Sequence, residues 1–175
     1  MLIVKFGGTS VGDGPRMAHV AGLVAQARSQ DAALVVVVSA MAGVTNALFA
    51  AARAAASGAE AEARGRLDGL LALHRDAAHT LLQCPQEREP ALESVRACLE
   101  EVGRFCQSIA VLGEATARAL DLVAGAGERM SSVLLAAALR ERGVPAQAVP
   151  AGEMIVTDAH FGAAQPLLDL SRPRV

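Results

Sequence analysis

Two short apolar runs, Leu2–Phe6 and Ala33–Val38, constrain this chain more than any other feature of it. The first ends at Gly7-Gly8, the mark of a buried strand closing in a tight turn, and the second holds four consecutive valines. Neither alternates with polar residues, which suits parallel strands covered on both faces. Between them Pro15 is placed as a first helical residue. Met17, Val20, Leu23 and Val24 then recur on one helical face to about Arg28. Strand, helix and parallel strand make a βαβ unit with a right-handed crossover. The expected fold class is α/β, a mostly parallel sheet layered with helices.

The rest of the chain is mostly helical in pattern up to Arg142. Helices are expected over Val44–Ala56, Ala59–Leu82, Ala91–Leu112, Glu114–Val123 and Ser131–Arg142. Ser57-Gly58 stops the first, Cys84-Pro85 and a polar turn from Gln86 to Pro90 follow the second, and Gly125 and Gly127 break the fourth. Pro145–Val149 and Met154–Val156 read as short strands. From Thr157 to Val175 the regularity is lost, with Pro166 and Pro173 interrupting it. That irregular close is a local reason to expect a fragment of a larger domain.

The composition narrows the function. Hydrophobic residues make up 53% of the 175, but aromatics only 2%, with no Trp or Tyr. Small aliphatics favour closely packed helices on a sheet and supply no aromatic surface for stacking bases. A formal net charge of −2 offers no basic excess to hold a polyanion, so no nucleic-acid partner is expected. Apolar runs such as Ala32–Val38 are too short to cross a bilayer, and no signal peptide is read at the start. The expectation is a soluble, cytoplasmic protein with no membrane partner. Cys84, Cys98 and Cys106, odd in number and without CxxC spacing, argue against a disulfide framework or a zinc site. His74 and His79 are five apart and do not share a helical face as an i, i+4 metal pair would.

Three segments could carry chemistry. In Lys5-Phe6-Gly7-Gly8-Thr9-Ser10 an ammonium, two glycines and two hydroxyls follow a strand's C-terminal end, where open α/β sheets bind ligands. Glycine lets an anion approach the backbone N–H groups, which suits a phosphate chain. A glycine turn with a solvated lysine is the alternative. The lysine precedes the glycines, so this is not a Walker A loop. Ser39-Ala40-Met41-Ala42-Gly43-Val44-Thr45-Asn46 follows the valine strand at the same sheet edge. Its hydroxyls and helix start suit a carboxylate or phosphate, or Thr45 or Asn46 simply caps the helix. In Gly127-Glu128-Arg129-Met130-Ser131-Ser132, Glu128 sits at a helix entrance, as a site carboxylate or as a cap residue favoured by the dipole.

In order and spacing these blocks resemble the aspartate kinases. KFGGTSV is followed by VVVVSAMAGVTN after one helix, then a long helical insert, then GERMSSVLLAAAL. The closing Thr157–Ala164 (TDAHFGAA) resembles the segment before that family's second half. The likeness runs over essentially the whole chain. The insert, about 47–123, resembles that of the longer lysine- or threonine-regulated and bifunctional forms. The resemblance implies an amino-acid-kinase-like αβα sandwich, incomplete here, with residues 1–175 as the N-terminal lobe of the kinase domain. The implied reaction is ATP-dependent phosphorylation of the side-chain carboxylate of L-aspartate, the first step toward lysine, threonine and methionine.

By position, the resemblance makes Lys5 the catalytic cation on the terminal phosphates of ATP. Gly7, Gly8, Thr9 and Ser10 lie against those phosphates, Ser39 and Thr45 hold the aspartate carboxylates, and Glu128 takes the α-ammonium. Asp158 lies near the site. It further implies ATP with Mg²⁺, no metal bound by these residues, and a homo-oligomeric intact protein. The family's GRGGSD-like segment, adenine loops and regulatory domains do not occur up to Val175, so little activity is expected of this chain alone. A non-catalytic aspartate-binding or assembly module, or a kinase of acetylglutamate or glutamate, are the alternatives.

Overall fold

The computed structural model describes residues 1–30 and 33–175, so Ala32 at the head of the second apolar run lies outside the described residues. β1 (Leu2–Phe6) and β2 (Leu34–Val38) are parallel neighbours in register from Leu2↔Leu34 to Phe6↔Val38, joined through α1 (Gly14–Gln30). This is the expected βαβ unit. Asp13 Oδ1 accepts the backbone N–H of Arg16 at 2.9 Å, capping α1 as N-cap aspartates do.

The expectation that both sheet faces are covered fails. Val4, Phe6, Leu34, Val36 and Val38 are half-buried, whereas Ile3 is 60% exposed, Val35 42% and Val37 46%. Side chains alternate between faces along a strand, so one face of the sheet packs on the helices and the other is open in this two-stranded sheet.

The helical mass follows as α2 (Val44–Ala56), α3 (Glu60–Leu81), α4 (Pro85–Leu112) and α5 (Ala117–Glu141). Three helical boundaries differ from expectation. The polar turn before Ala91 is the start of α4, with Pro90 inside the helix. Proline there forfeits a hydrogen bond to the Gln86 carbonyl, but both residues are exposed and water can serve that group. Gly125 and Gly127 do not break the chain, so the two helices expected over Glu114–Arg142 are one. Glycine costs about 1 kcal/mol against alanine in a helix, and burial of Leu134, Leu135, Met130 and Val123 along α5 outweighs that. Thr116 begins α5 by accepting the Ala119 N–H at 3.2 Å.

α5 is long and apolar enough to span a bilayer by length and composition, but 61% of its most apolar stretch is buried within the protein. It packs on α4, α2 and α1. Its C-terminal turn is tied down twice. The Glu141 carboxylate accepts the backbone N–H groups of Gln83 and Cys84, each at 2.9 Å. Arg142 reaches the Ala18 carbonyl at 3.3 Å. Alanines at Ala51, Ala52, Ala55, Ala78, Ala126, Ala137 and Ala138 fill the contacts between helices, so the backbones approach closely, as the composition implied.

The strands expected at Pro145–Val149 and Met154–Val156 do not form. Val144 to Pro150 has no regular structure, Ala151–Met154 is one helical turn (α6), and the only pairing beyond is a bridge between Thr157 and Pro166. A cleft of about 720 Å³ separates the Pro145–Val149 segment from β2, so the segment has no ladder to join. A final turn, α7 (Leu168–Ser171), and Arg172–Arg174 in a 3₁₀ turn complete the chain. Cys84, Cys98 and Cys106 are free, and burial pushes the Cys98 and Cys106 thiols above their ordinary pKa.

Candidate active site

The site lies where both strands end. After Phe6 the backbone folds back, Ser10 and Val11 donating N–H groups to the Gly7 carbonyl at 2.9 and 3.2 Å. The Gly8 and Thr9 N–H groups are left outside this turn. Lys5 is exposed, and its Nζ lies 3.7 Å from where a side chain on Gly7 would begin. The ammonium therefore folds over the glycine turn. It makes no ion pair with any described residue. A cation above amides free to donate is an anion site.

The second loop leaves β2 and packs against the first. A side chain on Gly8 would begin 3.1 Å from the Ala40 carbonyl oxygen and 3.8 Å from Ser39 Oγ. Ala42 N–H meets the Gly12 carbonyl at 3.4 Å. Gly43 then takes a left-handed conformation, φ 79°, and α2 begins. Neither Thr45 nor Asn46 caps that helix, because its N-cap is Gly43 and no side chain serves there. The Val44 N–H donates to the Met41 carbonyl at 3.1 Å, which leaves the Thr45 hydroxyl and the Thr45 and Asn46 amides to a carboxylate.

Glu128 reaches the same loop from the opposite side. Its Oε1 lies 3.4 Å from the Ala40 nitrogen, across 88 positions of sequence. It does not stand at a helix entrance as expected, but in the middle of α5. The dipole argument for it therefore falls, and its place beside the Ser39–Gly43 loop is what remains. That approach requires Gly127: a side chain there would begin 2.7 Å from Ala40 Cβ and 3.2 Å from Val44 Cγ1. Sequence reasoning took Gly127 for a helix breaker and missed this contact. The neighbouring Arg129 turns away to pair with Glu101 on α4 at 2.8 Å.

Lys5, Gly7, Gly8, Ser39 and Glu128 thus belong to one edge of the sheet, with Thr9 and Ser10 on the first loop and Thr45 in the first turn of α2. Asp158 stands apart in its interactions. Its Oδ1 accepts the N–H groups of His160 and Gln165 at 3.0 and 3.2 Å, and its Oδ2 pairs with His160 Nδ1 at 3.0 Å. These bonds hold the carboxyl below its usual pKa. They close the 157–166 loop, which Asp121 anchors to α5 through the Gly162 N–H at 2.7 Å, with Arg118 over the Phe161 ring at 5.4 Å. The large cleft touches Glu128 and Ser132 but neither Lys5, Ser39 nor Thr45, and its walls are apolar residues such as Val35, Leu135 and Val149. Among the described residues no three His, Cys, Asp or Glu side chains gather to hold a metal ion. Lys5 and its turn fit the phosphate end of a nucleotide, whereas no carboxylate set fits Mg²⁺.

A parallel βαβ edge with a lysine-glycine turn, covered by helices, defines a class. Residues 1–172 match the model of the amino acid kinase family, and the chain belongs to that family. Within it the chain is similar to lysine-sensitive aspartokinase 3 of Escherichia coli, with 34% identity over 171 residues, 95% of this chain and 34% of that one. It is also similar to the aspartokinase of Schizosaccharomyces pombe, with 29% identity over 88% of this chain and 30% of that one. Among solved structures, E. coli aspartokinase III in complex with lysine and aspartate aligns with a TM-score of 0.78 and 31% identity, over 95% of this chain and 35% of that chain. The same enzyme with aspartate and ADP aligns at 0.71 and 30% identity, over 98% and 36%. The chain thus spans about a third of the length of these relatives.

Proposed function

We propose that residues 1–175 are the N-terminal lobe of the kinase domain of an aspartate kinase and carry its aspartate pocket and its phosphate-facing lysine. The observation that carries this reading is Glu128 against the Ala40 backbone, on the same sheet edge as the unpaired Lys5. A carboxylate beside the Ser39–Gly43 loop suits a substrate with a free α-ammonium. It would repel the side-chain carboxylate of an N-acylated amino acid, which has no ammonium to offer in return. Ser39, the Thr45 hydroxyl and the Thr45 and Asn46 amides take the aspartate carboxylates.

Lys5 and the Gly8 and Thr9 amides, with the Ser10 hydroxyl beside them, take the terminal phosphates of ATP. They offset charge as the phosphoryl group passes from the leaving oxygen to the aspartate side-chain oxygen. ATP supplies that phosphoryl group when bound. Mg²⁺ and the adenine are read as held by residues other than these. The intact protein is read as a cytoplasmic homo-oligomer of amino-acid biosynthesis, serving lysine and threonine formation, with no nucleic-acid or membrane partner. These 175 residues alone are expected to form little 4-phospho-L-aspartate.

Competition calorimetry tests the substrate class. L-Aspartate should bind the chain and N-acetyl-L-glutamate should fail to displace it. Displacement by the acetylated amino acid at equal concentration would overturn the assignment.

A further inference from the structure

We infer that Arg16 is a positioning residue for phosphate binding, holding the Gly7–Ser10 turn with its amides outward. The inference rests on the reading of that turn as the phosphate site and adds to it a residue outside the turn. Arg16 stands in the first turn of α1, where a cation is opposed by the helix dipole. Its side chain nevertheless has a defined course. Nη1 donates to the Thr9 carbonyl at 3.1 Å, across seven positions. Asp13 aims it, with Oδ1 on the Arg16 backbone N–H at 2.9 Å and Oδ2 3.6 Å from Arg16 Nε.

The path is built for that reach. A side chain on Gly12 would begin 3.4 Å from Arg16 Nη1, 3.0 Å from the Gly8 carbonyl oxygen and 3.3 Å from Ala42 Cβ. Any residue larger than glycine there would press on both the guanidinium and the turn.

The consequence concerns one peptide plane. The Thr9–Ser10 peptide is fixed at both ends: Ser10 N–H donates to the Gly7 carbonyl at 2.9 Å, and the Thr9 carbonyl accepts from Arg16. Without Arg16 the plane is held only by the Ser10 N–H bond, and whenever that bond opens the carbonyl can swing toward the space Lys5 faces. There it would present a negative dipole to an incoming phosphate. With Arg16 in place the carbonyl is turned aside, so the anion meets N–H groups and ammonium. Arg16 so acts through the Thr9 carbonyl rather than by touching the ligand.

Inorganic tripolyphosphate, titrated into the full chain, provides the test, read by calorimetry and by the ¹³C shift of the Thr9 carbonyl. Arg16→Met, which keeps the stem and removes the guanidinium, should weaken binding about tenfold and shift the Thr9 carbonyl signal. Arg16→Lys, which restores a donor, should recover part of both. Unchanged affinity in Arg16→Met, or a Thr9 signal that does not move, would overturn the inference. Lys5→Met separates it from the reading beneath. Should the wild-type chain not bind tripolyphosphate, or bind it equally well as Lys5→Met, the phosphate site itself is wrong and the role of Arg16 falls with it. Loss in Lys5→Met with none in Arg16→Met removes only Arg16.

Discussion

Gly127 lies so close to Ala40 that a methyl group added to it would begin 2.7 Å from the Ala40 side chain. This contact, between the middle of α5 and the loop after β2, brings the carboxylate of the next residue, Glu128, to within 3.4 Å of the Ala40 nitrogen. Gly127→Ala should therefore cost about 1–3 kcal/mol by overpacking, despite alanine's better helix propensity. Urea denaturation would measure it. A variant as stable as the wild type, with aspartate binding intact, would mean that the loop yields freely.

His74 is fully buried on α3, donating from Nδ1 to the Leu70 carbonyl at 2.7 Å, with Nε2 unpartnered among the described residues. Burial holds its pKa below the ordinary value of 6.5. The folded state then binds fewer protons than the unfolded one, so stability is full above that pH and falls as the pH drops below it. The loss cannot exceed about 1.4 kcal/mol per pH unit for one proton. In His74→Leu this share of the decline should vanish, which urea curves at pH 7.5 and 5.0 would reveal.

Asp158 is engaged within its own loop, so Asp158→Ala should loosen residues 157–166 while leaving aspartate affinity within about twofold. Hydrogen exchange at His160 and Gln165 would rise. Because its pKa is lowered in the fold, the same bonds persist above the usual carboxylate range and are lost as the pH falls through the folded value. A large drop in aspartate affinity would mean that Asp158 also serves the substrate.

Much of this was legible in the residues, for reasons that differ by element. The valine run and Leu2–Phe6 could hardly be anything but parallel strands, and Pro15 with its apolar stripe marked the start of α1 within one residue and its end within two. The place of Lys5, Ser39 and Thr45 at the C-terminal ends of the two parallel strands follows from the strand assignments, and open α/β sheets bind ligands at that edge. Glu128 does stand beside the loop after β2, but not at a helix entrance as its local sequence suggested. Gly127 reads as a breaker when propensity is weighed alone, and only the packing of Ala40 explains it. The open sheet face was hidden for a like reason. Ile3, Val35 and Val37 declare an apolar environment that the described residues do not supply. Val144–Pro150 carries strand-like residues, but a strand needs a neighbour, and a cleft lies between it and β2.

In the proposed reading Glu128 holds the α-ammonium of aspartate beside the loop after β2. Calorimetric titration of L-aspartate into the wild type and Glu128→Gln, side by side, addresses it most directly. The amide keeps the shape and the Ala40 contact but removes the charge. Affinity should fall at least about tenfold, as when a charge-assisted hydrogen bond is lost, with tripolyphosphate binding unchanged. Equal aspartate affinity in the two proteins would contradict the account.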